Sequence, residues 1–222
     1  RQGAVRMGAG SIFSLTDDDL AAIRERVDGV QYITGMIRGQ TQVVNAEQNW
    51  NTGWQGVHAD FFAINDWKLA AGDFFAERDY GGGAKVVLLG ETVRQKLFGD
   101  ADPTGATIRV GRVPFTVAGV LQPKGMSNWG GDQDDVVFVP LETGRRRLMG
   151  QMGLPPRTIM QITIGAASVE VMPKVEQQVA EVLRETHKIQ PGADDDFTVR
   201  NLTQLVSART ETTRLMSLLL GA

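Results

Sequence analysis

Hydrophobic and polar positions along this chain change period several times, and the changes mark its elements. Leu20, Ile23 and Val27 recur at helical spacing behind Thr16, whose hydroxyl can cap the amides of a first turn carrying Asp17, Asp18 and Asp19. Leu15 and Leu20 stand at hydrophobic-staple spacing and Gly29 sits at a C-cap position, which predicts a helix over 16–28. Val30 to Ile37 and Thr41 to Ala46 are β-branched runs divided by Arg38-Gly39-Gln40, read as two strands and a tight turn. Asn49 to Val57 is a third extended segment, carrying Trp50 and Trp54.

From about residue 56 to 157, glycine and proline punctuate short strands at Lys85–Leu89, Thr107–Val110, Val113–Leu121 and Val136–Val139. Helices are predicted at Glu91–Phe98 and Leu141–Met149. Long regular elements then return. Thr158–Ile164 alternates as a strand, and Ser168 opens a helix whose buried stripe is Met172, Val175, Val179, Val182 and Leu183. Phe197–Arg200 is a further strand, and Asn201 is expected to cap a last helix through Leu202, Leu205 and Val206 to Met216. The two chain ends thus predict an α/β layer sandwich, residues 1–55 with 156–222, and the middle, 56–155, a β-rich insert; the class is α+β.

Composition narrows the chemistry. With 42% hydrophobic and 22% charged residues the 222-residue chain has the material for a core. No cysteine is present, which removes disulfides, thiolate nucleophiles and Cys-ligated metals. A net charge of −3 provides no basic field for nucleic acid. No run reaches the roughly 18 apolar residues of a spanning helix, so the chain as given reads as soluble. Its end, Leu215 to Ala222, is an uncharged Leu-rich stretch that fits the start of a membrane helix or an ordinary apolar helix end.

Candidate reactive groups are sparse. His187 near Asp194-Asp195-Asp196 suits a helix end beside a solvated acidic loop better than a proton shuttle, and His58 has no acid or nucleophile at catalytic spacing. Gly130-Gly131-Asp132-Gln133-Asp134-Asp135 lacks the glycine and glutamate positions of a calcium loop and reads as a mobile acidic turn. Gly81-Gly82-Gly83 precedes a strand, so it is a linker turn and not a phosphate cradle. No nucleophile elbow occurs. Arg145-Arg146-Arg147 is a basic cluster that reads first as a solvated helix end, since three adjacent residues cannot share one face; Arg145 and Arg146, with Trp50, Trp54 and Trp129, are the candidate partner contacts, core or hinge packing being the default for at least two of the tryptophans. Catalytic, cofactor and metal residues are accordingly expected to be absent.

From Gly56 onward the string carries a family resemblance. Gly56-Val57-His58-Ala59-Asp60-Phe61-Phe62, Leu69-Ala70-Ala71-Gly72-Asp73-Phe74-Phe75 and Val86-Val87-Leu88-Leu89-Gly90-Glu91-Thr92-Val93 resemble successive blocks of the extracytoplasmic core domain of MacB-type, FtsX-like ABC transporter permeases. So do Leu97-Phe98-Gly99-Asp100-Ala101-Asp102-Pro103-Thr104-Gly105, Phe115 to Leu121 with Gly119 and Val120, Val139-Pro140-Leu141, and Leu183 to His187 with Asp196 to Val199. Asp73 and Ala106 depart from the family, which commonly has arginine and lysine there. Gly72, Gly90, Phe98, Gly99, Asp102, Pro103, Gly105, Gly119, Val120 and Pro140 are family-motif positions expected to serve the fold.

The resemblance implies a porter-like α/β subdomain from both chain ends and an inserted β-rich, Sabre-like subdomain. It implies a place between the first and second transmembrane helices of a permease, on the periplasmic side of the bacterial inner membrane, with the tail helix from 201 leading into the second of them. It also implies dimerisation with a second permease copy and, in many relatives, engagement of a periplasmic adaptor. No P-loop occurs, so ATP and Mg would belong to a nucleotide-binding domain outside this chain. The implied role is transmission of ATP-driven motion to efflux or to an extracytoplasmic partner; a ligand-sensing ectodomain, binding between the subdomains, is the alternative.

Overall fold

The computed structural model describes residues 4–9, 14–127, 130–150 and 154–201. In chain order the elements are β1 (Ala4–Ala9), α1 (Asp17–Arg26), β2 (Val30–Asn45), β3 (Gln48–Val57), α2 (Asp60–Ile64), β4 (Leu69–Gly72), α3 (Glu77–Gly82), β5 (Val86–Leu89) and α4 (Glu91–Phe98). They continue with β6 (Thr107–Val110), β7 (Val113–Leu121), β8 (Val136–Pro140), α5 (Leu141–Thr143), a π-helical turn at Gly144–Leu148, β9 (Gln161–Ala166), α6 (Met172–Thr186) and β10 (Phe197–Asn201).

These elements fall into two units, one of residues 1–33 and 157–222, the other of 34–156. Residues 34–55, grouped by pattern with the chain ends, lie in the second.

In the first unit the strand order is β10-β1-β9-β2, with β1 antiparallel to both β9 and β10. Helices α1 and α6 supply apolar stripes, Ile23 with the flanking Leu15 and Val27 from one and Met172, Val175, Val179, Val182 and Leu183 from the other. These form one core with Ile162, Ile164 and Phe197. Thr16 caps α1 through a reciprocal box: its hydroxyl accepts from the Asp19 amide, and the Asp19 carboxylate accepts the Thr16 amide at 2.8 Å. α6 starts at Met172 rather than near Ser168, because Pro173 has no N–H to donate and fits the first turn, where none is required.

In the second unit the pairings β2–β3, β3–β8, β8–β5, β5–β7, β7–β6 and β6–β2 return to their starting strand, a closed ring of six. β4 adds to the outside of β7. A closed ring leaves fewer bare edges than an open sheet of the same strands. Phe61, Phe62, Trp67, Phe75 and Phe138 cluster against Val57, Leu88 and Leu121, with Phe62 edge-on to Phe138 at 5.6 Å.

Three expectations change. Arg38-Gly39-Gln40 is not a turn: β2 runs through it without a break, and the reversal falls at Ala46 and Glu47, between the paired Asn45 and Gln48. Leu141–Met149 is not one regular helix but α5 followed by the π-helical turn. Thr158 lies outside β9 and makes an isolated bridge to Thr16. The expected tail helix lies outside the described residues.

Candidate functional site

The family-motif positions are backbone devices in the second unit. Gly72 has φ +72°, and a Cβ there would lie 2.2 Å from the Ala118 carbonyl oxygen; a Cβ on Gly119 would lie 2.5 Å from that of Ala71. β4 and β7 can approach this closely only without side chains at those two points. Gly90 caps α4 with its N–H given to Val136 O at 2.9 Å, and a Cβ on it would meet Asp134 O at 2.2 Å. Gly99 and Gly105 have open space around them but φ of +58° and +80°, the left-handed region. Gly105 donates to Val117 O at 2.8 Å.

Between these two glycines, Asp102 accepts the Thr104 amide at 2.9 Å, and that bond holds its carboxyl below the usual range. Pro103 is buried, and its carbonyl accepts from Ala106. Val120 and Pro140 are buried strand residues of β7 and β8. Phe98 is half-buried; Val93 and Leu97 are the residues that seat α4.

Asp102, Pro103 and Val120 share an open groove of about 310 Å³ with Ala71, Glu91 and Arg94. Arg94 donates Nη2 to Glu91 at 2.7 Å and Nη1 to the Gly99 carbonyl. That pairing lowers the Glu91 pKa and raises that of Arg94, so these two groove residues form a closed ion pair.

The proposed contact residues separate. Trp54 is 2% exposed, with its indole held between Gly39 and Gly144, where an added Cβ would lie 2.7 Å from Nε1 and 2.8 Å from Cζ3. It is a core residue of the second unit. Trp50 is half-buried, donates Nε1–H to Asp135 at 2.8 Å and lies 4.8 Å below the Lys96 ammonium. Arg145 and Arg146 both pair with Glu142, at 2.8 and 2.6 Å, while Arg147 is exposed. Trp129 lies outside the described residues.

The acidic segment 130–135 is an internal brace. Asp134, 4% exposed, accepts the amides of Lys124 and Gly125 at 2.8 Å each, and Asp132 ties Thr92. Beside it, burial lowers the Lys124 pKa against the pull of Asp66 and Asp134, with the ammonium 4.4 Å over Trp67. The braced hairpin presents Met126, 65% exposed. Gly83, at φ +71°, is the C-cap of α3, so the glycine triplet ends a helix that its composition concealed.

The first unit holds a cluster that the sequence undersold. The His187 side chain is only 9% exposed; Nδ1 stands 2.7 Å from Asp196 and Nε2 3.3 Å from Asp19. Burial opposes charge on the ring, but the Asp196 hydrogen bond and the Asp19 charge outweigh it and raise the pKa. Among the described residues, this cluster included, no three His, Asp or Glu side chains gather as metal ligands, and no helix is long and apolar enough to cross a membrane.

Residues 1–182 match the family of MacB-like periplasmic core domains. The chain belongs to this family. It is therefore the periplasmic domain of a MacB-like ABC transporter permease, on the outer side of the bacterial inner membrane. A macrolide export ATP-binding/permease protein MacB from Syntrophobacter fumaroxidans is 31% identical over 269 residues, covering 99% of this chain and 38% of that protein. The MacB of Chlorobaculum tepidum is 33% identical over 216 residues, 97% and 32% of the two chains. The chain thus spans about a third of the length of the curated relatives it matches. In fold it is similar to the periplasmic region of MacB from Actinobacillus actinomycetemcomitans, with TM-score 0.77, 20% identity and coverage of 93% and 92%. The extracellular domain of YknZ, a noncanonic ABC-type transporter from Gram-positive bacteria, gives 0.73 at 16% identity, covering 89% of this chain and 100% of that one.

Proposed function

We propose that this MacB-like domain transmits ATP-driven motion of its permease to efflux or to an extracytoplasmic partner, without a reaction centre of its own. The observation that carries the reading is the family match over residues 1–182. The first unit takes the part of the porter-like α/β subdomain, and the second that of the Sabre-like insert. The motif residues support this role, since Gly72, Gly90 and Gly119 lock strands and helix starts at separations that admit no side chain. A stiff body passes displacement on; a compliant one absorbs it.

ATP and Mg belong, in this reading, to a nucleotide-binding domain elsewhere in the transporter. The other partners are the permease's own transmembrane helices, a second permease copy and a periplasmic adaptor. Macrolides head the cargo candidates, because the matched relatives are named as macrolide exporters. Thermal melting of the isolated chain with a macrolide and with peptides separates transmitter from sensor. A transmitter melts at the same temperature with and without them. A saturable rise in Tm with any one would transfer the assignment to a ligand-sensing ectodomain.

A further inference from the structure

We infer that His187 is a proton-operated clamp, closing the segment between α6 and β10 onto α1 in mildly acidic surroundings and releasing it in alkaline ones. The inference is independent of the transport reading. It stands on the geometry of three elements that meet at one ring. From α1 comes Asp19, itself 3% exposed and already engaged by the Thr16 hydroxyl at 2.8 Å and the Thr186 hydroxyl at 2.7 Å. From the segment leading into β10 comes Asp196, 2.7 Å from Nδ1. The ring itself is the C-cap of α6, where the exposed carbonyl ends of the helix favour a cation. Phe197 stacks edge-on to it at 5.9 Å and covers one side.

Only the imidazolium has a proton for both carboxylates. A neutral ring can keep its Nδ1 hydrogen bond to Asp196, but the 3.3 Å contact of Nε2 with Asp19 is an ion pair without hydrogen-bond geometry, so losing the proton removes that attraction and leaves a lone pair facing an anion. The remaining charges nearby are committed elsewhere: Arg157 to Asp17 and Asp18, Arg184 to Asp195, and Arg26 to Glu185. Lys188 follows on the same segment, at φ +56°. The bonds from Arg184 Nη2 to Ala193 O at 2.9 Å and from Ser14 Oγ to Asp196 O at 3.2 Å do not titrate near neutrality, so the segment loosens without detaching.

The sign follows from linkage. A folded-state pKa above the unfolded value of about 6.5 gives stabilisation that is fully present below about pH 6.5 and is lost as pH rises through the folded value. The chain has two histidines, so imidazole NMR shows two sets of ring signals, and His187→Gln removes the one to follow. The clamp requires that signal to titrate above about 6.5 and to move down in Asp196→Asn. It also requires amide exchange over 188–197, corrected for intrinsic rate, to be faster by on the order of fivefold at about pH 8.5 than at about pH 5.5. A His187 signal at or below 6.5, one indifferent to Asp196→Asn, or pH-flat protection of that segment would overturn it. The pH dependence of exchange over 188–197 is read on the unaltered chain, so that arm of the test does not depend on the variants folding.

Discussion

Gly144 and Trp54 form a contact whose energetics can be worked from its geometry. Gly144 has helical backbone angles, φ −55° and ψ −47°, so the backbone itself would welcome alanine: the exchange is worth up to about 1 kcal/mol in stability through helix propensity and unfolded-state entropy. Packing says the opposite. The new Cβ would lie 2.8 Å from Trp54 Cζ3 and 3.3 Å from Gly56 Cα and Ile37 Cδ1, the tightest contact being to a rigid ring atom. Trp54 cannot retreat, since its other edge lies against Gly39. Overpacking of this kind costs about 1–3 kcal/mol, so Gly144→Ala should destabilise the second unit in spite of its backbone preference, by a net of up to about 2 kcal/mol, lowering Tm by up to roughly 8 °C.

In a Trp54→Phe background Cζ3 is gone, and the same Gly144→Ala step should become neutral or stabilising. A double-mutant cycle by calorimetry of the isolated chain then gives a favourable coupling of about 1–2 kcal/mol. Gly144→Ala melting at or above the wild-type temperature, or the two changes adding without coupling, would refute the argument that Trp54 is wedged between two glycines.

Two further outcomes follow from named bonds. Thr16→Ala removes the cap of α1 and should lower the stability of the first unit by about 1 kcal/mol, with Thr16→Ser nearly silent; equal losses in both, by urea melts, would contradict the capping role. Asp134→Ala strips the amides of Lys124 and Gly125 of their acceptor and should cost about 2 kcal/mol, with amide exchange rising at those two residues before it rises at Phe138; uniform protection across 122–140 would count against the brace.

What the sequence made legible was local. α4 was readable at its observed ends because Gly90 and Gly99 bound it, and the buried stripe of α6 followed from helical spacing alone. Gly39 misled because a glycine between polar neighbours reads as a turn. Here it sits in mid-strand opposite Trp54, with the indole filling the space of a side chain. β1 escaped notice because its small and charged residues are recruited by β9 and β10, far along the chain. The parallel pairs β3–β8 and β5–β7, on which closure of the ring depends, have no signature in a local window.

The candidate site divides in the same way. The motif glycines could be picked out, but the reason for each is a partner atom elsewhere: Ala118 O for Gly72, Asp134 O for Gly90. His187 beside Asp196 was visible as a helix end near acids. Asp19 was not, since only the packing of α1 on α6 brings it to Nε2.

Transmission of motion is the central claim, and coupling in the whole transporter tests it most directly. The parent permease, with its nucleotide-binding domain, would be reconstituted in vesicles with and without Leu205→Pro, a proline in the helix that the sequence predicts after β10. ATP hydrolysis and macrolide export would be measured on the same preparation. The account predicts that hydrolysis continues while export falls by at least about tenfold, since a broken helix can no longer carry displacement between membrane and domain. Export that stays in proportion to hydrolysis would contradict it.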